Sequence, residues 1–332
     1  MNEISVIQYG LGPIGRMITR SLLERPKIRI VGAIDIDPAL AGKDLGEVAE
    51  LGKDLGVPVS SDASQVLSSS PSGVVILTTG SSLSKVAPQI EQILAKGHAV
   101  VSTCEELSYP WKTQPDLARR IDQVARRHNV AVLGTGVNPG FLMDFLPLAV
   151  TALCTEVKSI RVGRVQDASK RRLPFQQKIG AGLDTDQFDA RLKDGSLRHV
   201  GLTESIHMIA ARLGWEVERI DERIVPVIAG APVASTEIQV SPGQVAGIEQ
   251  LGDGIIDGEA RIRLYMRMSL QESESYESIE INGSPYLKSV MPDGVHGDMA
   301  TTAVVINAIP VILRAEPGLR TMADLPPVSY WE

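Results

Sequence analysis

Two adjacent carboxylates, Glu105 and Glu106, follow closely on the apolar dipeptide Val100-Val101. Partial burial against an apolar surface would raise their pKa toward neutrality, so that one of them could serve as a general base for a substrate proton. The same acids could instead open a helix, because acidic side chains are favoured in the first turn. The spacing leaves both interpretations open. Cys104 has no neighbouring histidine to activate it, so we interpret it as a small buried thiol rather than a nucleophile.

A glycine-rich motif near the start of the chain has the GxGxxG spacing of a dinucleotide-binding turn. It consists of Gly10, Leu11, Gly12, Pro13, Ile14 and Gly15. The motif follows a predicted strand and opens a predicted helix, which is the context that such a turn requires. Gly10 permits the tight turn, Gly12 lets the backbone approach a pyrophosphate, and Gly15 lets the helix pack close to the strand. The alternative is that these glycines only form turns.

The cofactor preference depends on Asp35, which ends the second predicted strand 20 residues beyond Gly15. A carboxylate at this position accepts a hydrogen bond from the 2′-hydroxyl of the adenosine ribose and repels a 2′-phosphate. We therefore expect NAD as the cofactor. Lys43 could soften this preference, so NADP stays possible.

Three further strand ends carry polar or small residues that we assign to the same cofactor site, because ligands lie outside the carboxyl ends of parallel strands. These residues are Thr78, Thr79 and Gly80 after one strand, Thr103 at the end of the next, and Asn138 after the fifth. The nicotinamide ring should lie near Thr103, beside the two acids. Asn138 can bind either a carboxamide or the substrate, although the turn that follows it, Pro139-Gly140, could also be a simple hinge.

Candidate substrate ligands occur later in the chain, around a run of cations in an otherwise acidic protein. They are Gln166, Arg171, Arg172 and His199. Arginine side chains can hold a carboxylate or phosphate through paired hydrogen bonds, but a charged run can equally be a solvated loop. His199 is the weaker signal, and no spacing of His, Cys, Asp or Glu predicts a metal site.

The secondary structure that must position these residues changes along the chain, from buried parallel strands with helices between them to longer alternating segments. Five short apolar runs predict buried parallel strands at Ile4–Tyr9, Ile28–Ile34, Gly73–Thr78, Ala99–Thr103 and Val130–Gly134. Helical patterns between them cover Ile14–Leu23, Leu83–Ala95 and Gln114–His128. Alternating segments follow at Lys158–Gln166, Arg219–Ile228, Glu237–Val240, Gly258–Ser269 and Tyr276–Ile281, with helices at Thr203–Leu213 and Gly297–Leu313.

This order predicts an α/β protein with a Rossmann-type, doubly wound parallel sheet and a second α+β domain built on a mostly antiparallel sheet. We expect a dinucleotide-binding domain over residues 1–140 and a substrate-binding and dimerisation domain over residues 141–295. Residues 296–332 should form a helical segment that packs back on the first domain.

Composition excludes several classes of partner. The 332 residues carry 33 Lys and Arg against 40 Asp and Glu, a formal charge of −7 without a long basic run, so we expect no nucleic-acid or membrane partner. No apolar run reaches the roughly 20 residues of a spanning helix, and no leader pattern precedes the strand at Ile4. Two cysteines fit neither a disulfide framework nor a CxxC pair, so the expected compartment is the cytoplasm.

Five segments together resemble the family of 2,4-diaminopentanoate dehydrogenases and native amine dehydrogenases, which share a fold with dihydrodipicolinate reductase. They are Gly10-Leu11-Gly12, Gly32 to Asp37, Ser102-Thr103-Cys104-Glu105-Glu106-Leu107, Asn138 to Phe141, and His296-Gly297-Asp298. The resemblance implies NAD(P)-dependent oxidative deamination of an amine or diamino acid, and in reverse reductive amination of a ketone with ammonia. It also implies one catalytic glutamate among Glu105 and Glu106, with Glu105 favoured, and a homodimer built on the second sheet.

Two other functions stay open at this point. One is an NAD(P)-dependent reductase of another small C=N or C=O metabolite, although the region Lys170 to Phe175 lacks the paired-histidine motif of dihydrodipicolinate reductases. The other is a non-catalytic NAD-sensing protein, which would need an output surface that the sequence does not reveal.

Overall fold

The structure, a computed structural model, describes residues 3–332. The chain divides into two compact units. Unit 1 consists of the residues up to Phe141 together with His296–Glu332, and unit 2 consists of Leu142–Val295. The chain therefore crosses between the units twice, after residue 141 and after residue 295.

A seven-stranded sheet forms the centre of unit 1. Its strands, numbered in chain order through the whole protein, are β1 (Ile4–Tyr9), β2 (Ile28–Ile34), β3 (Val59–Ser60), β4 (Val74–Leu77), β5 (Ala99–Ser102), β6 (Ala131–Gly134) and β15 (Gly318–Arg320). They lie in the order β15-β6-β5-β4-β1-β2-β3, and all neighbouring pairs are parallel. Strands β4, β5 and β6 are buried along their whole length, which accounts for their continuous apolar sequence. The predicted Rossmann-type sheet is confirmed.

Helices cover this sheet. They are α1 (Pro13–Leu22), α2 (Leu45–Val48), α3 (Ala63–Ser69), α4 (Leu83–Ala95), α5 (Pro110–Thr113), α6 (Pro115–Arg127) and α11 (Gly297–Ile312). Helix α4 packs on α6 and β5, whereas α11 packs on α1, β5 and β6. The three main helices of the first 140 residues thus form where the sequence predicts them, with ends that differ by one residue at most.

The C-terminal part of unit 1 contains one strand that the sequence did not predict. Beyond α11, β15 adds to the sheet beside β6, and the carboxylate of Asp122 accepts the N–H of Leu319 at 2.9 Å. With only three residues, β15 is too short to show the alternation by which a strand is recognised. The last residues pack on α1's end, where Arg25 lies 4.4 Å from the ring of Tyr330.

Unit 2 is built on a six-stranded sheet in the order β14-β13-β7-β12-β11-β8. Its strands are β7 (Glu156–Asp167), β8 (Arg219–Ile228), β11 (Val245–Ile256), β12 (Glu259–Ser269), β13 (Tyr276–Ser284) and β14 (Leu287–Pro292), and β9 (Val233–Ala234) pairs separately with β10 (Gln239–Val240). Only β7 and β12 run parallel. Its helices are α7 (Phe145–Thr151), α8 (Leu173–Lys178), α9 (Thr185–Lys193) and α10 (Leu202–Leu213). The expected second α+β domain with a mostly antiparallel sheet is confirmed.

The longest element that the sequence failed to predict is β11. Glycines 247, 252 and 254 interrupt its apolar pattern, and glycine is depleted in strands. The fold needs them, because a Cβ on Gly254 would lie 2.7 Å from a methyl of Ile206 in α10, and one on Gly247 would lie 2.0 Å from the carbonyl oxygen of Met268. Close packing therefore requires glycines in β11, and these glycines remove the apolar pattern by which the strand could be recognised in the sequence. Within residues 3–332, no helix is both long and apolar enough to cross a membrane.

Replacement of Gly247 by alanine should destabilise unit 2. The added Cβ would overlap the backbone of β12, which cannot move aside as a flexible side chain could. We expect a loss of about 2 kcal/mol or more in the free energy of unfolding, measured by urea denaturation. Gly230→Ala is the matched control, because a Cβ there would meet nothing within 4 Å. A Gly247→Ala protein as stable as this control would contradict the packing described for β11.

Candidate active site

The glycine turn between β1 and α1 shows why two of its three glycines are needed. Gly10 has a φ of +96°, which L side chains rarely adopt, and a Cβ on Gly15 would lie 2.0 Å from the carbonyl oxygen of Gly10. A Cβ on Gly12 would meet nothing within 4 Å. Gly12 therefore borders open space, and α1 begins beyond it at Pro13 without a side-chain cap. An uncapped helix start beside open space is suited to bind a phosphate.

Two polar side chains, those of Gln8 and Thr78, hold this turn in place through hydrogen bonds. The amide nitrogen of Gln8, a fully buried residue of β1, donates to the carbonyl of Gly10 at 3.0 Å and to the hydroxyl of Thr78 at 3.1 Å. That hydroxyl in turn donates to the Gly10 carbonyl at 2.8 Å. Thr78 thus shapes the turn from its own strand end. Gln8 was missed from the sequence, although an amide inside an apolar strand is itself a signal.

Asp35 stands at the end of β2, beside the same turn. One carboxylate oxygen accepts the N–H of Leu11 at 2.6 Å, and the other accepts the N–H of Asp37 at 2.9 Å. These bonds fix the carboxylate at the glycine turn and leave its remaining lone pairs available. Lys43, the cation that could soften its charge, is paired with Glu47 at 3.3 Å.

The end of β4 and the start of α4 border a depression of about 400 Å³. Its lining consists of Thr79, Gly80, Ser81, Ser82, Lys85, Val86 and Gln89. The hydroxyl of Thr79 donates to the side-chain oxygen of Gln89 at 2.5 Å. Ile36, which follows Asp35, is 77% exposed. A large apolar side chain so exposed next to Asp35 offers a surface on which a flat ring can pack, and its exposure could not be read from the sequence.

The structure gives the two adjacent acids different environments in a 3₁₀ turn (Glu105–Leu107) that follows β5. One oxygen of Glu106 accepts the N–H of Leu83, the first residue of α4, and the side-chain amide of Gln114, each at 2.7 Å. The carboxylate of Glu105 accepts no hydrogen bond and forms no ion pair with any residue in the range 3–332, although it is half-buried. The available carboxylate is therefore Glu105.

Cys104 is the buried thiol that the sequence predicts. It is 1% exposed, and its sulfur donates to the carbonyl of Ser81 at 3.2 Å. Burial, together with the nearby charge of Glu105, strongly raises the pKa of the thiol. The thiolate needed for nucleophilic attack is therefore disfavoured at neutral pH.

The end of β6 brings a second polar segment to the same edge of the sheet. The N–H of Thr135 donates to the carbonyl of Ser102 at 2.8 Å, which joins the segment to the end of β5 near Thr103. Asn138 follows in a tight loop and is 8% exposed. The residues assigned to the cofactor from sequence thus lie at the carboxyl ends of β1, β2, β4, β5 and β6. That they bind a cofactor stays a prediction.

In unit 2, a charged pair lies inside the protein. Arg164 and Glu277, each with a side chain less than 5% exposed, approach to 3.2 Å. The side-chain amide of Gln166 donates to the same Glu277 oxygen at 3.1 Å. Burial raises the pKa of Glu277 to about 7, although Arg164 opposes this shift. Arg164 and Glu277 were not selected from the sequence, where they read as ordinary charged strand residues.

The predicted substrate ligands of unit 2 have different environments. Arg171 is 8% exposed and lies 4.0 Å over the ring of Phe175, so it is not part of a solvated loop, whereas Arg172 is exposed. Burial and the charges of nearby cations lower the pKa of His199 to about 3, so its imidazole is neutral. Whether these residues and Gln166 bind substrate stays a prediction. Within residues 3–332, no cluster of His, Cys, Asp or Glu could hold a metal ion.

Comparison with known proteins gives consistent matches over the whole chain. The family model for the 2,4-diaminopentanoate dehydrogenase C-terminal domain matches residues 141–331, and that for the dihydrodipicolinate reductase N-terminus matches residues 4–104. A 2,4-diaminopentanoate dehydrogenase of Acetoanaerobium sticklandii is 32% identical, over 98% of this chain and 94% of the relative. An amine dehydrogenase of Streptomyces virginiae is 26% identical, over 97% and 96%.

A solved structure of an amine dehydrogenase from Mycobacterium smegmatis matches with a TM-score of 0.87. The match covers 99% of this chain and 98% of that one, at 24% sequence identity. At this identity the likeness shows that the two chains share a fold.

The raised pKa of Glu277 predicts a pH-dependent stability. A carboxyl group that binds its proton more tightly in the folded state than at its ordinary pKa of 4.5 stabilises the fold fully below that value. This contribution is lost as the pH rises through about 7. We therefore expect the free energy of unfolding to fall between these pH values, and Glu277→Gln to lack this part of the slope.

Urea unfolding at a series of pH values measures the difference between the two proteins. Glu280→Gln is the control, because Glu280 lies on the same strand with a side chain that is 30% exposed. It should keep the slope of the wild type. An unchanged slope in Glu277→Gln would contradict the assigned environment.

Proposed function

Since the chain belongs to the 2,4-diaminopentanoate dehydrogenase family, we propose that it is an NAD(P)-dependent amine dehydrogenase. As an oxidoreductase acting on CH–NH₂ groups, it converts an amine reversibly into a ketone and ammonia. The observation that carries the proposal is the difference in hydrogen bonding between the two adjacent acids. Glu106 is occupied with the backbone of α4, whereas Glu105 offers a carboxylate at the end of β5.

The residues at the edge of the parallel sheet fit a dinucleotide. The open side of Gly12 and the uncapped start of α1 suit a pyrophosphate, and Asp35 suits a ribose. Thr79 and Gly80 would line its path, and Thr103 and Asn138 would lie near the nicotinamide. The chemistry that a bound nicotinamide supplies is hydride acceptance from the carbon that bears the amine.

Glu105 performs the proton transfer that this chemistry requires. An aliphatic ammonium, with a pKa near the 10.4 or so of lysine, is mostly protonated at neutral pH and has no lone pair to assist loss of hydride. The carboxylate of Glu105 accepts that proton, which frees the nitrogen lone pair that assists the loss of hydride. As the carboxylic acid, it returns the proton when water has added and ammonia leaves.

The preferred cofactor is NAD. The carboxylate of Asp35 is held in place by two backbone N–H groups, so it cannot readily turn away from a 2′-phosphate. The charge of Lys43 is already matched by Glu47. Repulsion of a 2′-phosphate by a fixed carboxylate favours a cofactor with a free 2′-hydroxyl.

The substrate class is an amine with a carboxylate, as in a diamino acid. Arg171 supports this choice, because its guanidinium is held against Phe175 and its backbone carbonyl accepts the amide of Gln176 at 2.7 Å. A guanidinium fixed in this way can hold a carboxylate through two hydrogen bonds. Neutral His199 can donate or accept a further one, and exposed Arg172 adds long-range attraction.

The assembly is a homodimer built on the sheet of unit 2. Helix α10 covers one face of β11 and β12. By strand alternation the other face carries Tyr265 and Arg267, which both bond to Glu249. A partly exposed face of aromatic and paired charged residues suits an isologous contact between two copies. Two free cysteines suit the reducing cytoplasm.

Separate substitution of the two acids tests the function. Glu105→Gln should lower kcat for amine oxidation about 10²- to 10⁴-fold, because the proton acceptor is lost, and should leave the dissociation constant for NAD unchanged. Glu106→Gln should keep most of the turnover, since a glutamine oxygen can still accept from Leu83 and Gln114. NADH formation at alkaline pH from a panel of amines and diamino acids measures both. Full kcat in Glu105→Gln would refute the mechanism, and wild-type protein that oxidises no amine would refute the function.

A substitution at Asp35 tests the cofactor preference. Asp35→Ser removes the charge that repels a 2′-phosphate and weakens the contact with a ribose hydroxyl. We expect the ratio of kcat/KM with NAD to that with NADP to fall about ten- to hundredfold. Lys43→Gln is the control and should leave the ratio unchanged. A wild-type protein that prefers NADP would contradict the assignment.

A further inference from the structure

The buried pair of unit 2 is directed at one residue of the backbone. Arg164 donates to the carbonyl of Val295 at 3.0 Å, and the amide of Gln166 donates to the same carbonyl. Glu277 accepts the N–H of Val295 at 3.3 Å. Both polar backbone groups of Val295 are thus held by side chains of β7 and β13. We call Arg164, Gln166 and Glu277 the Val295 clamp.

Stability does not account for this choice of residues. Removal of two opposite charges from water costs more than their attraction returns in many proteins, and apolar residues of similar size would pack at least as well. The second oxygen of Glu277 is buried without a hydrogen-bond partner in the part of the chain that the structure describes, which adds to the cost. The effect of the three side chains is instead to hold the backbone of Val295 in a fixed position.

That position matters because Val295 is the last residue of unit 2, and α11 begins two residues later. His296 caps the helix, its Nδ1 accepting the N–H of Met299 at 3.5 Å. In the next turn, the hydroxyl of Thr301 accepts the N–H of Val137 at 3.2 Å. Val137 immediately precedes Asn138 in the loop after β6. A continuous covalent and hydrogen-bonded path therefore joins the clamp to this loop.

We propose that Arg164, Gln166 and Glu277 are positioning residues: by holding Val295 they order the backbone that leads into α11, and through Thr301 they order the loop that carries Asn138. The proposal rests on the proposed function in so far as this loop takes part in catalysis. It also predicts an ordered backbone at Val295 and Val137, which can be measured without any substrate.

The test replaces the whole clamp by apolar residues, in the triple variant Arg164→Met, Gln166→Leu, Glu277→Leu. Because apolar replacement of a complete buried pair is often neutral for stability, the fold should survive. Amide hydrogen exchange, followed by mass spectrometry of peptides spanning residues 293–298 and 135–140, should accelerate about tenfold or more. The kcat for amine oxidation should fall about tenfold, while the dissociation constant for NAD stays within about twofold, because the triple variant leaves the glycine turn unchanged.

The control removes another ion pair from the same sheet, by Arg263→Met together with Asp253→Leu. It should leave exchange and kcat as in the wild type. The single variant Gln166→Leu keeps the charged pair and should change hydrogen exchange and kcat in the same direction by a smaller amount. It tests the proposal if the triple variant does not fold. Unchanged exchange at Val295 would overturn the clamp, and faster exchange with unchanged kcat would overturn its role in positioning. Wild-type protein that oxidises no amine would refute the proposed function, with the exchange data still deciding whether the clamp exists.

Discussion

The hydrogen bond from the N–H of Leu83 to the carboxylate of Glu106 is the interaction on which the site depends. It joins the start of α4, which borders the depression beside Thr79 and Gly80, to the turn that follows β5. One oxygen of Glu106 is engaged in this way, whereas the carboxylate of Glu105 accepts no hydrogen bond within residues 3–332. Two neighbouring carboxylates could otherwise compete for one proton and repel each other. The observed difference keeps one acid bonded to backbone and, in the proposed function, leaves the other to the substrate.

The surroundings of the turn add to this separation. Burial keeps the thiol of Cys104 protonated, so it bonds to the carbonyl of Ser81 as a neutral donor and does not compete as a nucleophile. On the far side, the backbone of Thr135 is bonded to Ser102, which aligns the ends of β5 and β6. Glu105, to which the proposed function assigns the proton transfer, thus lies on a segment whose backbone is fixed from both sides.

Local patterns in the sequence predicted much of unit 1, because a buried parallel strand and the glycine turn each have a signature of their own. The glycine motif and Asp35 are recognisable for that reason. Strand β11 was missed because glycines required by packing erase its alternation, and β15 because it has three residues. The choice between Glu105 and Glu106 depends on Leu83 and Gln114, which approach only in the folded chain. Arg164 and Glu277 are likewise far apart in sequence.

Buried glutamines show a common principle in both units. Four of them donate to backbone carbonyls, three on assigned site residues and one on Val295: Gln8 to Gly10, Gln176 to Arg171, Gln250 to His199, and Gln166 to Val295. An amide is uncharged, so its burial costs less than that of a carboxylate, and it can donate and accept at once. Loops that carry catalytic groups lack the ladder bonds of strands, and a glutamine from an adjoining element supplies the bond that their backbone would otherwise take from water. Gln8, Gln176 and Gln250 hold the backbone of assigned residues in this way, and no motif or spacing in the sequence marks them.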